Sequence, residues 1–148
     1  MLAIRMVVVG DNVDFVEGLR AWLVKESDIE IVGIEHSGAA AIKCVTALRP
    51  QIVLMDVTMA DMSGFAACRR IRAELGSPMI VLMSFHESET VRREAAAAGA
   101  DEIIGKGHIA TTLLPLVREL AGWSAEERAA EKKRRQPEKP GKHEKPLA

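Results

Sequence analysis

The stretch Gln51-Ile-Val-Leu-Met-Asp56-Val-Thr-Met-Ala-Asp-Met-Ser63-Gly64 decides the fold that we predict for this chain. Its residues 52–55 are all apolar, which is typical of a strand buried on both faces of a parallel sheet. The strand ends at the carboxylate of Asp56, and Ser63 is a plausible N-cap for a following helix. A buried carboxylate is costly unless a cation or a hydrogen-bond donor meets it. The function therefore depends on which other residues reach Asp56.

The rest of the chain alternates between strand-like and helix-like segments. Strict alternation of this kind predicts an α/β domain with a parallel sheet and helices on both faces. We place this domain at residues 1–123. The predicted strands are 4–9, 29–34, 52–55, 79–83 and 102–104, and the predicted helices are 14–26, 37–48, 63–75, 88–98 and 109–121.

Residues 124–148 have a different composition. They contain eight Lys and Arg residues, five Glu residues and hardly a large apolar side chain, whereas the whole chain has a net charge of −1. Such a segment cannot bury enough apolar surface to fold alone. We predict a charged tail that is helical to about residue 135 and then disordered. Its basic run could contact nucleic acid or an anionic membrane, but a solvated extension is the simpler interpretation.

Composition limits the class of protein. The 148 residues correspond to about one domain, and 48% hydrophobic residues are enough for a core. The sequence has no apolar run of the ~20 residues that a membrane span requires, and its first residues do not resemble a signal peptide. Cys44 and Cys68 lie in helix-like segments and are best interpreted as small apolar residues in a reducing compartment. We therefore expect a cytoplasmic protein that does not bind membranes.

Polar side chains follow four of the predicted strands: Asp11, Asp56, Ser84 and Lys106. Strand ends are often polar, so each residue alone indicates little. In open parallel sheets, however, ligands bind beyond the carboxyl ends of the strands, and four complementary groups there favour a site. Two carboxylates and a backbone carbonyl can hold Mg²⁺, and a carboxylate can attack phosphorus to give an aspartyl phosphate. Together with Lys106 and Ser84, which could neutralise phosphoryl oxygens, these groups could phosphorylate Asp56.

These residues lie in segments that resemble a response-regulator receiver domain, the aspartate-phosphorylated partner of a sensor histidine kinase. The resemblance covers about residues 4–121, and Glu17-Gly18-Leu19 is similar to receivers that usually precede a helix-turn-helix domain. The matching segments are Val7-Val8-Val9-Gly10-Asp11, Phe15 to Leu19, Arg49 to Asp56, Met62-Ser63-Gly64, Ile80 to Ser84, and Gly99-Ala100-Asp101 leading to Lys106.

The resemblance implies a fold and a role for each site residue. The fold would be a flavodoxin-like, doubly wound, five-stranded parallel sheet with strand order 2-1-3-4-5. Asp56 would be the phospho-acceptor, Ser84 the switch hydroxyl and Lys106 the phosphate-binding cation. Mg²⁺ would be held by Asp11, Asp56 and the carbonyl of Thr58.

The sequence departs from the family pattern at several positions. Gly10 stands where the family has a first acid, which should lower the affinity for Mg²⁺. Ile103 replaces the aromatic residue whose ring turns inward on activation. Phe85 follows the switch serine where the family prefers a small residue, and it should narrow the mouth of the pocket. Ala60 and Gly107 replace two prolines, which should loosen their loops.

Two functions remain open at this point. The first is a stand-alone receiver in a phosphorelay, which takes a phosphoryl group from a histidine kinase or phosphotransfer protein and signals through a partner protein. The alternative is a degenerate pseudo-receiver that binds partners without phosphate, which Gly10 and Ile103 favour. An enzyme is not expected, because phosphatases with an aspartyl phosphate need a second Asp as general acid where Thr58 stands. No direct DNA binding is expected, since no residues remain for a helix-turn-helix domain, and a homodimer is left open.

Overall fold

The computed structural model describes residues 3–122 together with residues 130, 133 and 134. Five strands alternate with five helices in the described part of the chain, as the sequence predicts. The strands are β1 (Ile4–Val9), β2 (Ile29–Glu35), β3 (Ile52–Asp56), β4 (Met79–Ser84) and β5 (Glu102–Gly105). The helices are α1 (Val13–Leu23), α2 (Gly38–Leu48), α3 (Gly64–Glu74), α4 (Glu89–Ala98) and α5 (Ile109–Ala121), with a short 3-10 turn (Lys106–His108) before α5.

All strand pairs in the sheet are parallel, and the order is β2-β1-β3-β4-β5. This order confirms the doubly wound, flavodoxin-like arrangement. The register aligns Asp56 with Met83 and Ser84 with Gly105, so β3, β4 and β5 end close to one another. The residues that follow the strands are thereby placed along one edge of the sheet.

The sheet separates two apolar layers. Met6 and Val8 of β1 face a layer completed by α1 and α5, whereas Val7 and Val9 face a layer completed by α2, α3 and α4. Every residue of β3 is buried, which is why residues 52–55 are apolar on both faces. The prediction of helices on both faces is confirmed.

Serine side chains begin three of the helices. The hydroxyl groups of Ser37, Ser63 and Ser88 each accept a hydrogen bond from the backbone N–H three residues later. Such caps satisfy one of the N–H groups that the first turn of a helix leaves unpaired. Ser63 therefore fixes where α3 begins, and with it the length of the loop between Asp56 and α3.

The first helix is shorter than its predicted span of 14–26. It ends at Leu23, because the N–H of Glu26 donates to the carbonyl of Leu23 in a turn, and the carbonyl of Glu26 then accepts from the N–H of Ile29. The turn leads the chain directly into β2.

The tail prediction for residues 124–148 falls outside the described residues, apart from Ala130, Lys133 and Arg134, which are helical. Among the described helices, none combines the length and the apolar character needed to span a membrane. Cys68 is buried and Cys44 is half-buried.

Candidate functional site

Asp56 lies at the buried end of the central strand. It is 3% exposed, and its Oδ2 atom lies 2.6 Å from the Nζ atom of Lys106. The lysine side chain is itself only 7% exposed. The N–H of Thr58 donates to the other carboxylate oxygen, Oδ1, over 3.3 Å. The cation and the donor that a buried carboxylate requires are thus both present.

Lys106 reaches Asp56 because it follows β5 directly. It begins the 3-10 turn that leads into α5, and β5 is separated from β3 by β4 alone. The sequence prediction that Lys106 and Asp56 share one site is therefore consistent with their geometry.

Ser84 ends β4 on the same edge of the sheet and is 7% exposed. Its Oγ atom accepts a hydrogen bond of 3.0 Å from the backbone N–H of His86. The hydroxyl proton remains available for donation, because this hydrogen bond uses only a lone pair of the oxygen. Ser84 therefore holds the start of the β4–α4 loop and keeps a donor for a ligand.

Asp11 follows β1 and is exposed. Its Oδ2 atom accepts a hydrogen bond of 2.8 Å from the N–H of Ala60 in the β3–α3 loop. Asp11 thus lies next to the loop that carries Thr58. In this arrangement the carboxylate of Asp11 supports the loop at Ala60, the position where the family pattern has a proline.

A second acid, which sequence reasoning missed, holds the same loop from the other side. Asp61 accepts hydrogen bonds of 2.9 and 3.0 Å from the N–H groups of Gly38 and Ala39 at the start of α2. These two hydrogen bonds lower the pKa of Asp61. The sequence signal for this contact was weak: Asp61 is an acid in a loop, and the parallel fold brings that loop close to the N-terminus of α2, which attracts negative charge.

Gly10 leaves space beside Asp56. A Cβ atom at this position would lie 3.7 Å from Asp56 Oδ2 and 3.0 Å from a methyl group of Val16. The carbonyl of Gly10 lies 2.9 Å from Nδ1 of His36, and its N–H donates to the carbonyl of Glu35. An acidic side chain at residue 10 would therefore point toward Asp56, and the missing acid reduces the negative charge there.

The donor set partly fits a magnesium ion. Asp11, Asp56 and the carbonyl of Thr58 are oxygen donors of the kind that Mg²⁺ takes while it keeps several waters. In the described part of the chain, no group of three or more His, Cys, Asp or Glu side chains could hold a metal. A metal here would thus rely on two carboxylates, and both of them already accept hydrogen bonds from the protein.

Two phenyl rings flank the lysine. The Nζ atom of Lys106 lies 4.4 Å from the ring centroid of Phe15 and 4.3 Å from that of Phe85. Sequence reasoning expected Phe85 to narrow the pocket mouth, but it did not identify this contact. The departures at Ile103 and Gly107 lie nearby on β5 and in the 3-10 turn.

A pocket of about 320 Å³ lies beside β5, and Ile103, Glu87, His108 and Leu116 are among the residues that line it. Glu87 comes from the β4–α4 loop and lies 3.7 Å from His108 Nε2. The pocket therefore connects the loop that follows Ser84 with the turn that carries Lys106.

Comparisons with known proteins agree with this geometry. The profile of the response regulator receiver domain family matches residues 6–118. Response regulator protein VraR of Staphylococcus aureus (strain Mu3) is 36% identical over 118 residues, which cover 79% of this chain and 56% of VraR. Protein-glutamate methylesterase/protein-glutamine glutaminase 1 of Syntrophus aciditrophicus (strain SB) is 35% identical over 109 residues, covering 72% of this chain and 31% of that protein.

Solved structures show the same architecture. The signal receiver domain of the response regulator NarL from Mycobacterium tuberculosis superposes with a TM-score of 0.77 at 26% sequence identity, covering 84% of this chain and 100% of that one. The chain spans less than two thirds of the length of both curated relatives, whose matched parts are 56% and 31% of their sequences. The chain belongs to the response-regulator receiver domains of two-component signalling.

Proposed function

We propose that Asp56 accepts a phosphoryl group from a sensor histidine kinase or a phosphotransfer protein, and that the phosphorylated chain signals through a partner protein. One observation carries this proposal: the carboxylate of Asp56 is buried at the sheet edge, 2.6 Å from the ammonium group of Lys106. A purely structural ion pair needs no neighbouring hydroxyl or second acid, whereas here Ser84 ends one adjacent strand and Asp11 follows the other.

The transfer would need little covalent help from the protein. A carboxylate oxygen of Asp56 attacks phosphorus, the P–N bond of the donor phosphohistidine breaks, and the released imidazole takes up a proton. Lys106 would move from the carboxylate to a phosphoryl oxygen, and the hydroxyl of Ser84 would donate to another. Both groups stabilise negative charge that spreads over these oxygens during transfer.

Asp11, Asp56 and the Thr58 carbonyl would hold Mg²⁺ in this proposal, as expected from the sequence. A bound Mg²⁺ would supply positive charge to a phosphoryl oxygen. To hold the metal with this oxygen, Asp11 would have to give up the hydrogen bond that it accepts from the N–H of Ala60. The missing acid at Gly10 makes this the weaker part of the site.

The signal would leave through the β4–α4 loop. A hydrogen bond between Ser84 and the phosphoryl group would pull on the loop, because the Ser84 hydroxyl also accepts from the N–H of His86. Such a change shifts an existing two-state equilibrium rather than creating a new state. Ile103 stands where the family has an aromatic residue. We therefore propose that a change in the β4–α4 loop alters the face formed by α4, β5 and α5 directly, and that the partner protein binds this face.

A second candidate is a degenerate receiver that binds its partner without phosphate. Gly10 and the hydrogen bond between Asp11 and Ala60 favour it, since both reduce the capacity for a metal. In either case, we propose that the chain is not an enzyme toward other molecules, since Thr58 replaces the general acid that a phosphatase needs.

Intact mass spectrometry after incubation with acetyl phosphate and Mg²⁺ tests the proposal. We expect one added phosphoryl group in the natural sequence, none in Asp56→Asn, and an unchanged gain in Asp14→Asn, which removes an exposed carboxylate of α1. If the natural sequence gains no phosphoryl group at any Mg²⁺ concentration, from acetyl phosphate or from phosphorylated histidine kinase, the degenerate receiver is correct.

Other aspects of the function stay predictions. These are a stand-alone receiver, the absence of direct DNA binding, a cytoplasmic location and the state of association. Because the curated relatives extend beyond the matched segment, the mass of the protein purified from its natural source would test whether an output domain is attached to the receiver.

A further inference from the structure

The two phenyl rings around Lys106 form a feature that the phosphorylation chemistry alone does not require. We call Phe15 and Phe85 the aromatic clamp. The ammonium nitrogen lies between 4.3 and 4.4 Å from both ring centroids, which is within the range of cation–π attraction. Phe15 comes from α1 and Phe85 from the β4–α4 loop, so two elements that are distant in sequence both contact Lys106.

Phe85 is exposed to an unusual degree for an aromatic residue. It is 77% exposed, more than the other large exposed apolar side chains of the described residues, such as Val13 at 53% and Val24 at 52%. Burial of its own surface therefore contributes little to stability. The position of the ring is instead explained by its contact with the ammonium group of Lys106, whose side chain is almost buried.

We propose that Phe85 is a positioning residue that, with Phe15, holds the ammonium group of Lys106 on Asp56. The faces of aromatic rings carry partial negative charge, which attracts a cation without adding a formal charge. The geometry stands without phosphorylation, but the effect on phosphoryl transfer rests on the proposed function.

Two substitutions at Phe85 distinguish the effect of the aromatic ring face from the effect of side-chain size. Phe85→Leu keeps an apolar side chain but removes the π face, whereas Phe85→Tyr keeps the face. Val24→Ala is the matched control, because it shortens an exposed apolar side chain at the C-terminal end of α1. None of these exposed sites contributes to the buried core, so all three variants should fold.

The first readout is the environment of Lys106 in the unphosphorylated protein. The side-chain methylene protons of Lys106 should show an upfield ring-current shift in proton NMR, and this shift should fall in Phe85→Leu. Acylation of Lys106 by an amine-reactive ester, followed by peptide mass spectrometry, should be about fivefold faster in Phe85→Leu, as expected from loss of one cation–π contact. Acylation of the exposed Lys25 and Lys43 in the same sample serves as the internal reference.

In Phe85→Tyr and Val24→Ala, both the NMR shift and the acylation rate should match the natural sequence. The proposal is overturned if Phe85→Leu leaves both quantities unchanged, or if Phe85→Tyr behaves like Phe85→Leu. The second result would assign the effect of Phe85 to its size or to the loop.

The second readout is the rate of phosphorylation by acetyl phosphate. We expect it to fall about fivefold in Phe85→Leu and to recover in Phe85→Tyr, because a displaced ammonium group stabilises the transferred phosphoryl group less well. A natural sequence that never gains a phosphoryl group would refute the proposed function, while the NMR and acylation results would still decide the clamp. A natural sequence that is phosphorylated at the same rate as Phe85→Leu would refute the role of the clamp in transfer.

Discussion

The two halves of the site are built differently. The cationic half consists of Asp56, Lys106 and the aromatic clamp, and its two charged side chains are almost completely buried. The metal half consists of Gly10, Asp11 and the β3–α3 loop with Thr58, and its acid is exposed. The same sheet edge thus carries a preformed ion pair on one side and an adjustable loop on the other.

The difference shows where the charge of Asp56 is balanced. In the cationic half, the balancing charge is the ammonium group of Lys106, which is held in place because Lys106 directly follows β5. In the metal half, an acid is missing at Gly10, and Asp11 holds a backbone N–H at 2.8 Å. Lys106 therefore balances the charge of Asp56 from within the protein, whereas the metal half has one carboxylate fewer than the family pattern.

The largest effect should come from Lys106→Met, which removes the cation from the cationic half. Breaking a buried ion pair leaves an uncompensated charge, so we expect the free energy of unfolding at neutral pH to fall by about 3 kcal/mol. Chemical denaturation measures this change. Phosphorylation by acetyl phosphate should also drop by at least tenfold, because a main electrostatic stabiliser of the transferred group is lost.

The double variant Lys106→Met with Asp56→Asn is the control for this prediction. It removes both charges, so most of the lost stability should return. A double variant as unstable as Lys106→Met alone would show that lysine packing, rather than the ion pair, supports this half of the site.

The next largest effect should come from Gly10→Asp in the metal half. The new carboxylate would point toward Asp56, with a small adjustment of the Val16 methyl group that lies 3.0 Å from the added Cβ. We expect the affinity for Mg²⁺ to rise by about tenfold, because a third carboxylate strengthens the local negative field. Isothermal titration with Mg²⁺ measures this change.

Gly10→Asn provides the matched control, since it has nearly the same shape without the charge. It should leave the affinity for Mg²⁺ close to that of the natural sequence. Equal affinities in Gly10→Asp and Gly10→Asn would contradict the inference that charge, rather than shape, limits the metal half.

The cationic half could be predicted further from sequence than the metal half. Apolar runs identified the strands, and alternation placed their ends at one edge, so Asp11, Asp56, Ser84 and Lys106 were all expected there. The strand order itself came from the family resemblance. The position of Lys106 could be predicted because it comes just past the last strand, which places its backbone at the same sheet edge as Asp56.

The contacts of loop side chains were beyond such reasoning. The ring of Phe85 and the carboxylate of Asp61 each contact groups on an element distant in sequence, and the direction of a loop side chain depends on backbone angles that no periodicity encodes. The end of α1 at Leu23 was missed for a related reason. The polar residues after it fit a helix as well as a turn, and the hydrogen bonds that lead into β2 decide between the two.

The smallest effect should come from Asp61→Asn, which tests how firmly the metal half is held. The carboxylate accepts two hydrogen bonds at the N-terminus of α2, and they lower its pKa, so the folded state favours the charged form more than the unfolded state does. This stabilisation is complete above about pH 4 and is lost as the pH falls through the lowered pKa. Thermal unfolding should therefore show a lower midpoint for Asp61→Asn at neutral pH, and the two midpoints should converge in acid. Asp14→Asn, an exposed first-turn acid of α1, controls for the general loss of a charge. A midpoint difference that persists unchanged in acid would mean that the charge of Asp61 does not matter and that Asp61 supports the loop through shape alone.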